Sequence, residues 1–172
     1  MLLSIFMLKL FSIVAIITLM LSGYLGFEPM GMPHPLFALP TIFLIYINDI
    51  LTIFYFIQTG RGVKDGAEEA GIDIPELADI RRNHGMASKG ATMNIIYITL
   101  AAVFGGTTVF ASWGLTVHGI VALIAVALYL KGTFDSFKYL WRNSEYMNTI
   151  AESYWKAVNV PSNGSSTKQI DE

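Results

Sequence analysis

The sequence predicts an all-α membrane protein in which four transmembrane helices form an up-down bundle with both termini on the cytoplasmic side. Three observations support this prediction: the composition, four long apolar stretches and the uneven distribution of lysine and arginine. Of the 172 residues, 53% are hydrophobic and only 14% are charged, whereas an ordinary soluble domain carries about a quarter charged residues. The mean hydropathy is +0.53. We therefore expect one membrane domain, over residues 1–158, followed by a flexible polar tail at 159–172.

The charge and the cysteine count exclude several classes of function. The net charge is −2, so the chain has no basic field to attract nucleic acid. It contains no cysteine, which excludes disulfides, iron–sulfur clusters and thiol catalysis. The sequence GRGVKDG lacks the spacing and the ending of a phosphate-binding loop. Since no nucleophile–base pair stands out either, no catalytic residue is predicted, and a non-catalytic role is favoured over an enzyme.

The four spans are predicted directly from hydropathy. Each apolar stretch has close to the ~20 residues that a helix needs to cross the hydrocarbon core. The predicted spans are residues 10–26, 36–58, 91–112 and 115–137. The first is interpreted as a retained signal anchor, because no small-residue cleavage site follows it. The short turn at 112–115 makes spans three and four an antiparallel hairpin.

Lysine and arginine indicate the orientation of the bundle. Five lie between spans two and three, and five lie at or after the end of span four, whereas the connections 26–35 and 112–117 contain none. The positive-inside rule then places both termini and the loop at 60–90 on the cytoplasmic side. The amphipathic, aromatic segment 138–158 is expected to lie along the inner interface or to dock on a partner.

The three histidines differ in their predicted depth. His34 lies at the outer entrance of span two and His118 in the first turn of span four, whereas His84 precedes span three on the inner side. His84 is therefore about 40 Å from the outer end. Two imidazoles at one depth on facing helices can bind the two axial positions of a haem iron. Either one alone could ligate a chlorophyll magnesium, and His-Pro at a span entrance is also a common interfacial turn.

A carboxylate near the middle of span two is a candidate buried polar site. A charge at this depth is costly and needs a partner, and Lys131 in span four is a candidate partner for Asp49. Lys131 could instead form a local pair with Asp135, one helical turn away. Asp49 is open to two interpretations, as a proton relay or quinone-site acid, or as a structural contact that determines the register of the bundle.

Four short motifs resemble a known family. They are HP before span two, RRNHGMASKGA before span three, VHG in span four and WRNSEYMN after it. Together they resemble an uncharacterised family of small membrane proteins of cyanobacteria, plastids and other bacteria, related to the ascorbate-reducible transmembrane cytochrome b proteins. The resemblance covers roughly residues 33–148 and implies two haem sites, each formed by histidines two helices apart.

The resemblance assigns ligands residue by residue. It implies that His34 and His118 ligate the iron of one haem b at the outer side, and that His84 is half of a second, inner site. The position that matches the fourth histidine of the family is Glu145. The inner site is therefore expected to be lost, which leaves His84 without a second imidazole.

These observations favour one function over two others. The leading hypothesis is a cytochrome-b-like integral membrane subunit that binds one haem b between spans two and four. It would transfer electrons, with a quinone or a soluble donor, inside a larger respiratory or photosynthetic complex of a bacterial inner or thylakoid-type membrane. The first alternative is a non-catalytic accessory or scaffold subunit of such a complex, able to bind chlorophyll. The second is a small transporter or proton channel that uses Asp49.

Overall fold

The computed structural model describes residues 2–70, 77–106 and 114–159. They form four helices, α1 (Leu2–Leu25), α2 (His34–Ala70), α3 (Leu77–Gly106) and α4 (Gly114–Asn159), and a short 3-10 turn at Pro29–Gly31. No strand occurs in these described ranges, so the prediction of an all-α fold with four helices is confirmed. The predicted turn at 112–115 and the tail at 159–172 fall almost entirely outside the described residues.

Every helix contains a stretch that is long and apolar enough to cross a membrane. The stretches are Leu2–Leu25, His34–Gly66, Ile80–Gly105 and Gly114–Ser153. Helix α4 has 46 residues, or about 69 Å, against about 30 Å of hydrocarbon core. It must continue well beyond the core, and residues 138–158 are its continuation rather than a separate interfacial helix. Most of the predicted loop at 60–90 is likewise helical.

The connection between α1 and α2 determines where α2 begins. Helix α1 ends at Leu25 and is followed by Gly26, whose φ of +69° is left-handed and whose N–H donates to the Ser22 carbonyl over 3.0 Å. The chain then turns through Gly31, also at φ +69°. Pro33 accepts the first backbone bonds of α2, from Leu36 and Phe37. This end of the bundle, which we call the outer end after the predicted orientation, therefore presents His34 at the start of α2.

The helices pack in chain order, as an up-down bundle requires. Packing is most extensive between α3 and α4, followed by α2 with α3 and α1 with α2, and contacts between α1 and α4 close the bundle. Large apolar side chains face outward on all four helices, for example Leu3, Leu39, Val103 and Leu115, each more than 60% exposed. Such a surface suits lipid, which is as apolar as the side chains themselves.

Two apolar clusters divide the interior along its length. The outer apolar cluster consists of Ile16, Ile45, Ile98, Val126 and Tyr129. The inner apolar cluster consists of Ile5, Tyr55, Phe56, Ala87 and Leu140. Each cluster takes residues from all four helices. Between them the bundle is polar.

The polar region between the clusters is here called the central polar layer. It consists of Lys9, Ser12, Asn48, Asp49, Thr52, Asn94, Tyr129 and Thr133. The ring of Tyr129 belongs to the outer apolar cluster, and its hydroxyl belongs to the layer. None of these residues is more than 1% exposed. All four helices contribute to it, so the layer constrains the relative register of every helix in the bundle.

An ion pair in the central polar layer joins α1 to α2. Lys9 Nζ lies 3.4 Å from Asp49 Oδ1, and both side chains are fully buried. Helix α1 begins at Leu2, so Lys9 lies inside the helix rather than ahead of it. Its burial is tolerated because Asp49 provides the opposite charge.

The predicted pairing of Asp49 with Lys131 is wrong. The Lys131 side chain is 73% exposed and binds Asp135 over 2.8 Å, which is the alternative that the spacing offered. Tyr129 and Thr133 face the interior from α4. Lys131 lies two residues from each of them, which is about 200° around the helix, so its side chain points away from the core.

Replacing Lys9 by methionine should destabilise the protein by about 3–5 kcal/mol, because the Asp49 carboxylate would lose its buried partner. Adding Asp49→Leu should restore most of that loss. The matched control is Lys131→Met, which breaks an exposed i,i+4 pair and should leave the stability nearly unchanged. Unfolding in mixed detergent micelles, followed by circular dichroism, measures all three variants. Equal losses for Lys9→Met and Lys131→Met would contradict the assignment.

Candidate functional site

A cavity of about 590 Å³ lies in the outer half of the bundle and is lined by all four helices. Its volume arises from small side chains on each wall, namely Gly23, Gly26, Ala38, Ala101, Ala102, Gly119 and Ala122. Ile16, Ile98 and Val126 of the outer apolar cluster form part of its lining. Both His34 and His118 line the same cavity. The structure therefore brings together the two histidines that the sequence places at one depth, and their role as ligands stays a prediction.

His34 packs against a glycine of the neighbouring helix. A Cβ added at Gly23 would lie 3.0 Å from His34 Cε1 and 3.4 Å from Nδ1. That distance is shorter than carbon atoms normally allow, so only glycine lets the imidazole approach α1 this closely. The interface of α1 with α2 thus determines the position of the ring.

Ser22 determines which nitrogen of His34 carries the proton. Ser22 Oγ donates to the Leu19 carbonyl over 2.8 Å and lies 2.8 Å from His34 Nδ1. A hydroxyl has one hydrogen, so Ser22 must accept its second bond from the Nδ1–H group. A neutral imidazole protonated on Nδ1 keeps its lone pair on Nε2. Ser22 therefore leaves the Nε2 lone pair of His34 available to a ligand, in the way that carbonyls and carboxylates orient many metal-ligating histidines.

His118 packs in the same way on α3. A Cβ at Gly105 would lie 3.0 Å from His118 Cε1 and 3.3 Å from Nδ1, nearly the same contacts as between Gly23 and His34. His118 Nδ1 is buried and has no hydrogen-bond partner among the described residues. A buried polar nitrogen without a partner is costly. The described residues therefore leave the hydrogen-bonding capacity of His118 Nδ1 unsatisfied.

His84 lies at the other end of the bundle, outside the cavity. It packs against Gly60, which is 26 residues, or about 39 Å, further along α2 than His34. His84 Nε2 lies 2.6 Å from Asn143 Oδ1. Asn143 Nδ2 in turn donates to Tyr55 Oη and Thr59 Oγ1, over 3.1 and 3.3 Å. The nitrogen that would ligate a second haem is thus occupied by an amide.

Glu145, the position matched to the fourth family histidine, does not approach His84 in the described contacts. Its carboxylate accepts a hydrogen bond from Trp141 Nε1 over 2.9 Å, on an exposed face of α4. The partner of His84 is instead Asn143, two residues earlier. The sequence motif WRNSEYMN contains both residues, but only the helix rotation shows which one faces inward.

Helix α1 supplies residues that the sequence did not connect with the histidines. It lies outside the stretch that carries the family resemblance, yet Ser22 and Gly23 contact His34 directly. Tyr24 also reaches across to α4, where its hydroxyl lies 3.4 Å from the Gly119 carbonyl. The one available signal was a serine and a glycine at the outer end of span one, at the predicted depth of His34.

The described lining of the cavity contains two imidazoles, together with the Met20 thioether and the Tyr24 hydroxyl, and no carboxylate. Within the described ranges, no three side chains among histidine, cysteine, aspartate and glutamate come together to hold a metal ion. Two imidazoles on separate helices suit an iron whose four remaining ligands come from a porphyrin. Comparison of the chain with family models, curated proteins and solved structures gives no match. The assignment of a function therefore depends on this geometry.

Substituting Ser22 by alanine should change the tautomer of His34, because the Nδ1–H group would lose its acceptor. In the cofactor-free protein, nitrogen-15 spectra of labelled histidine should show protonation on Nδ1 in the parent chain. In the variant the proton should move largely to Nε2. Thr18→Ala is the control, since the Thr18 hydroxyl donates to the Val14 carbonyl of its own helix and contacts no histidine among the described residues. An unchanged His34 tautomer in Ser22→Ala would refute the proposed role of Ser22.

Proposed function

We propose that the protein is a cytochrome-b-like integral membrane subunit that binds one haem b in the outer cavity, with His34 and His118 as axial ligands. Its function would be electron transfer. The observation that carries the proposal is that both imidazoles line one apolar cavity, each packed against a glycine of the neighbouring helix. When bound, the haem would supply a one-electron couple whose potential depends on its ligands and surroundings.

The residues of the cavity fit such a group. A volume of about 590 Å³ lies within the ~300–1,000 Å³ typical of cofactor sites. The walls consist mainly of glycine, alanine and aliphatic side chains, which a flat ring can approach closely. Ser22 holds His34 with a free Nε2 lone pair, and the His118 imidazole lines the same cavity from α4. These features support a bis-imidazole site.

The choice between haem and chlorophyll depends on the number of imidazoles. A chlorophyll magnesium needs one axial ligand, so a chlorophyll site would leave one of the two histidines unused. Two histidines on α2 and α4 that line one cavity are better explained by an iron with two axial positions. A single haem is proposed because Asn143 already binds Nε2 of His84 at the inner end.

The long inner extension of α4 supports a role within a larger complex. Trp141 and Trp155 are 66% and 63% exposed on this helix, and exposed tryptophan is typical of partner surfaces and of membrane interfaces. Electron exchange would then occur with a quinone or another subunit of a respiratory or photosynthetic membrane. An accessory role without a cofactor would use the same α4 surface.

Purified protein should show the reduced absorption bands of a b-type haem, and His34→Ala or His118→Ala should lower haem affinity at least about tenfold because each removes an axial ligand. His84→Ala is the control, since its ring lies at the opposite end and binds Asn143. Haem titration of the three variants, with reduced-minus-oxidised spectra, measures the effect. A folded, colourless parent protein that takes up no added haem would overturn the proposal.

Gly105→Val should also weaken haem binding, by several-fold, because any Cβ at this position meets the His118 ring at 3.0 Å. Gly90→Val is the matched control on the same helix, where a Cβ has no neighbour within 4 Å. The measurement is the same haem titration, together with helicity by circular dichroism. Equal affinities for the two valine variants would argue against the close packing of His118 on Gly105.

A further inference from the structure

The central polar layer contains more polar atoms than the protein itself satisfies. Both amide atoms of Asn48, Oδ2 of Asp49, Nδ2 of Asn94, the Tyr129 hydroxyl and Oγ1 of Thr133 are buried without hydrogen-bond partners among the described residues. These atoms come from α2, α3 and α4, and the Lys9 ammonium joins them from α1. Buried polar groups are normally paired with protein or with ordered water. A concentration of six unpaired atoms in one layer therefore indicates a bound species.

The chemistry of the layer restricts what that species can be. The fixed Lys9 ammonium disfavours a metal cation, and the Asp49 carboxylate disfavours an anion. The unpaired atoms include donors, such as the amide nitrogens of Asn48 and Asn94, and acceptors, such as Asp49 Oδ2 and Asn48 Oδ1. Water both donates and accepts, and each buried water needs two to four polar partners. Water is the species that satisfies this mixed set.

The contacts of the tyrosine place its hydroxyl among these groups. The Tyr129 hydroxyl lies near Ser12, Asn48 and Thr133 without a direct hydrogen bond of good geometry. Ser12 and Thr52 donate to backbone carbonyls of their own helices. Their oxygens can still accept a bond from a bridging water. A few waters would thus connect α1, α2 and α4 around the ion pair.

We propose that the central polar layer binds a small cluster of ordered water and that the Lys9–Asp49 pair exchanges a proton with it. The step is the transfer of one proton from a hydronium ion to the Asp49 carboxylate. It leaves a neutral water and a carboxylic acid, and it raises the charge of the Lys9–Asp49 pair from zero to +1 while Lys9 stays an ammonium ion. The titratable groups that face Asp49 are Lys9 from α1 and Tyr129 from α4, whereas α3 contributes the uncharged Asn94, whose amide lies near the Asp49 carboxylate.

The outer cavity offers one route of access to the layer. Ile16, Ile98 and Val126 belong both to the lining of that cavity and to the outer apolar cluster. Tyr129 belongs to the same cluster through its ring. One layer of side chains therefore separates the cavity from the polar atoms beneath. The proposal does not depend on haem, because none of its residues is an axial ligand.

X-ray hydroxyl-radical footprinting in oxygen-18 water tests for the cluster, because radiolysis of bound water labels adjacent side chains. The full chain in lipid nanodiscs is compared with its Lys9→Met/Asp49→Leu variant. Tyr129 should be labelled several-fold faster than Tyr55, a buried tyrosine whose hydroxyl already accepts a bond from Asn143. The rate at Tyr129 should fall to that of Tyr55 in the double variant. Labelling of Tyr129 no faster than Tyr55 in the parent chain would overturn the water cluster.

Infrared spectroscopy tests the proton. A carboxyl band that titrates with pH and shifts in deuterated water should be present in the parent chain and absent in Asp49→Asn, which preserves the shape of the side chain. Asp135→Asn, which changes an exposed carboxylate, should leave that band in place. Helicity by circular dichroism shows that each variant is folded. If no pH-dependent band disappears in Asp49→Asn, the proton-exchange role is wrong.

Discussion

The ion pair between Lys9 and Asp49 is the interaction on which the arrangement of the bundle depends. In lipid, helices gain little from apolar contact with one another, so a buried polar contact has a large effect on register. Two full charges without exposure to water must face each other, because neither can be left unpaired at this depth. The pair therefore determines how α1 lies along α2.

That register determines the site at the outer end. In an antiparallel pair of helices, residues equally far from a contact lie opposite one another. Gly23 is 14 residues from Lys9, and His34 is 15 residues from Asp49, or about 21 and 22 Å. The ion pair thus places Gly23 beside His34 and Ser22 within reach of Nδ1. On the other side of the bundle, α3 and α4 also meet through glycine contacts, Asn94 against Gly132 and Gly105 against His118.

The three histidines show that one packing arrangement can lead to different chemistry. Each packs against a glycine of the preceding helix, at Gly23, Gly60 or Gly105. The outer two rings line a cavity of small apolar side chains. The inner ring meets Asn143, whose amide also binds Tyr55 and Thr59. The surroundings of the ring, rather than its contact with glycine, decide whether an imidazole is available to a ligand.

Local pattern by itself determined the four apolar helices, the depth of each histidine and the i,i+4 pairing open to Lys131, because hydropathy, helical rise and charge spacing act within one helix. Only the tertiary structure decided that Lys9 pairs with Asp49, that Ser22 and Gly23 contact His34, and that Asn143 rather than Glu145 faces His84. These contacts depend on how each helix is rotated and shifted against its neighbours. In a membrane protein the lipid-facing side is as apolar as the core, so hydropathy carries little information about that rotation. The rotation of each helix is set by a few polar and glycine contacts with residues of other helices.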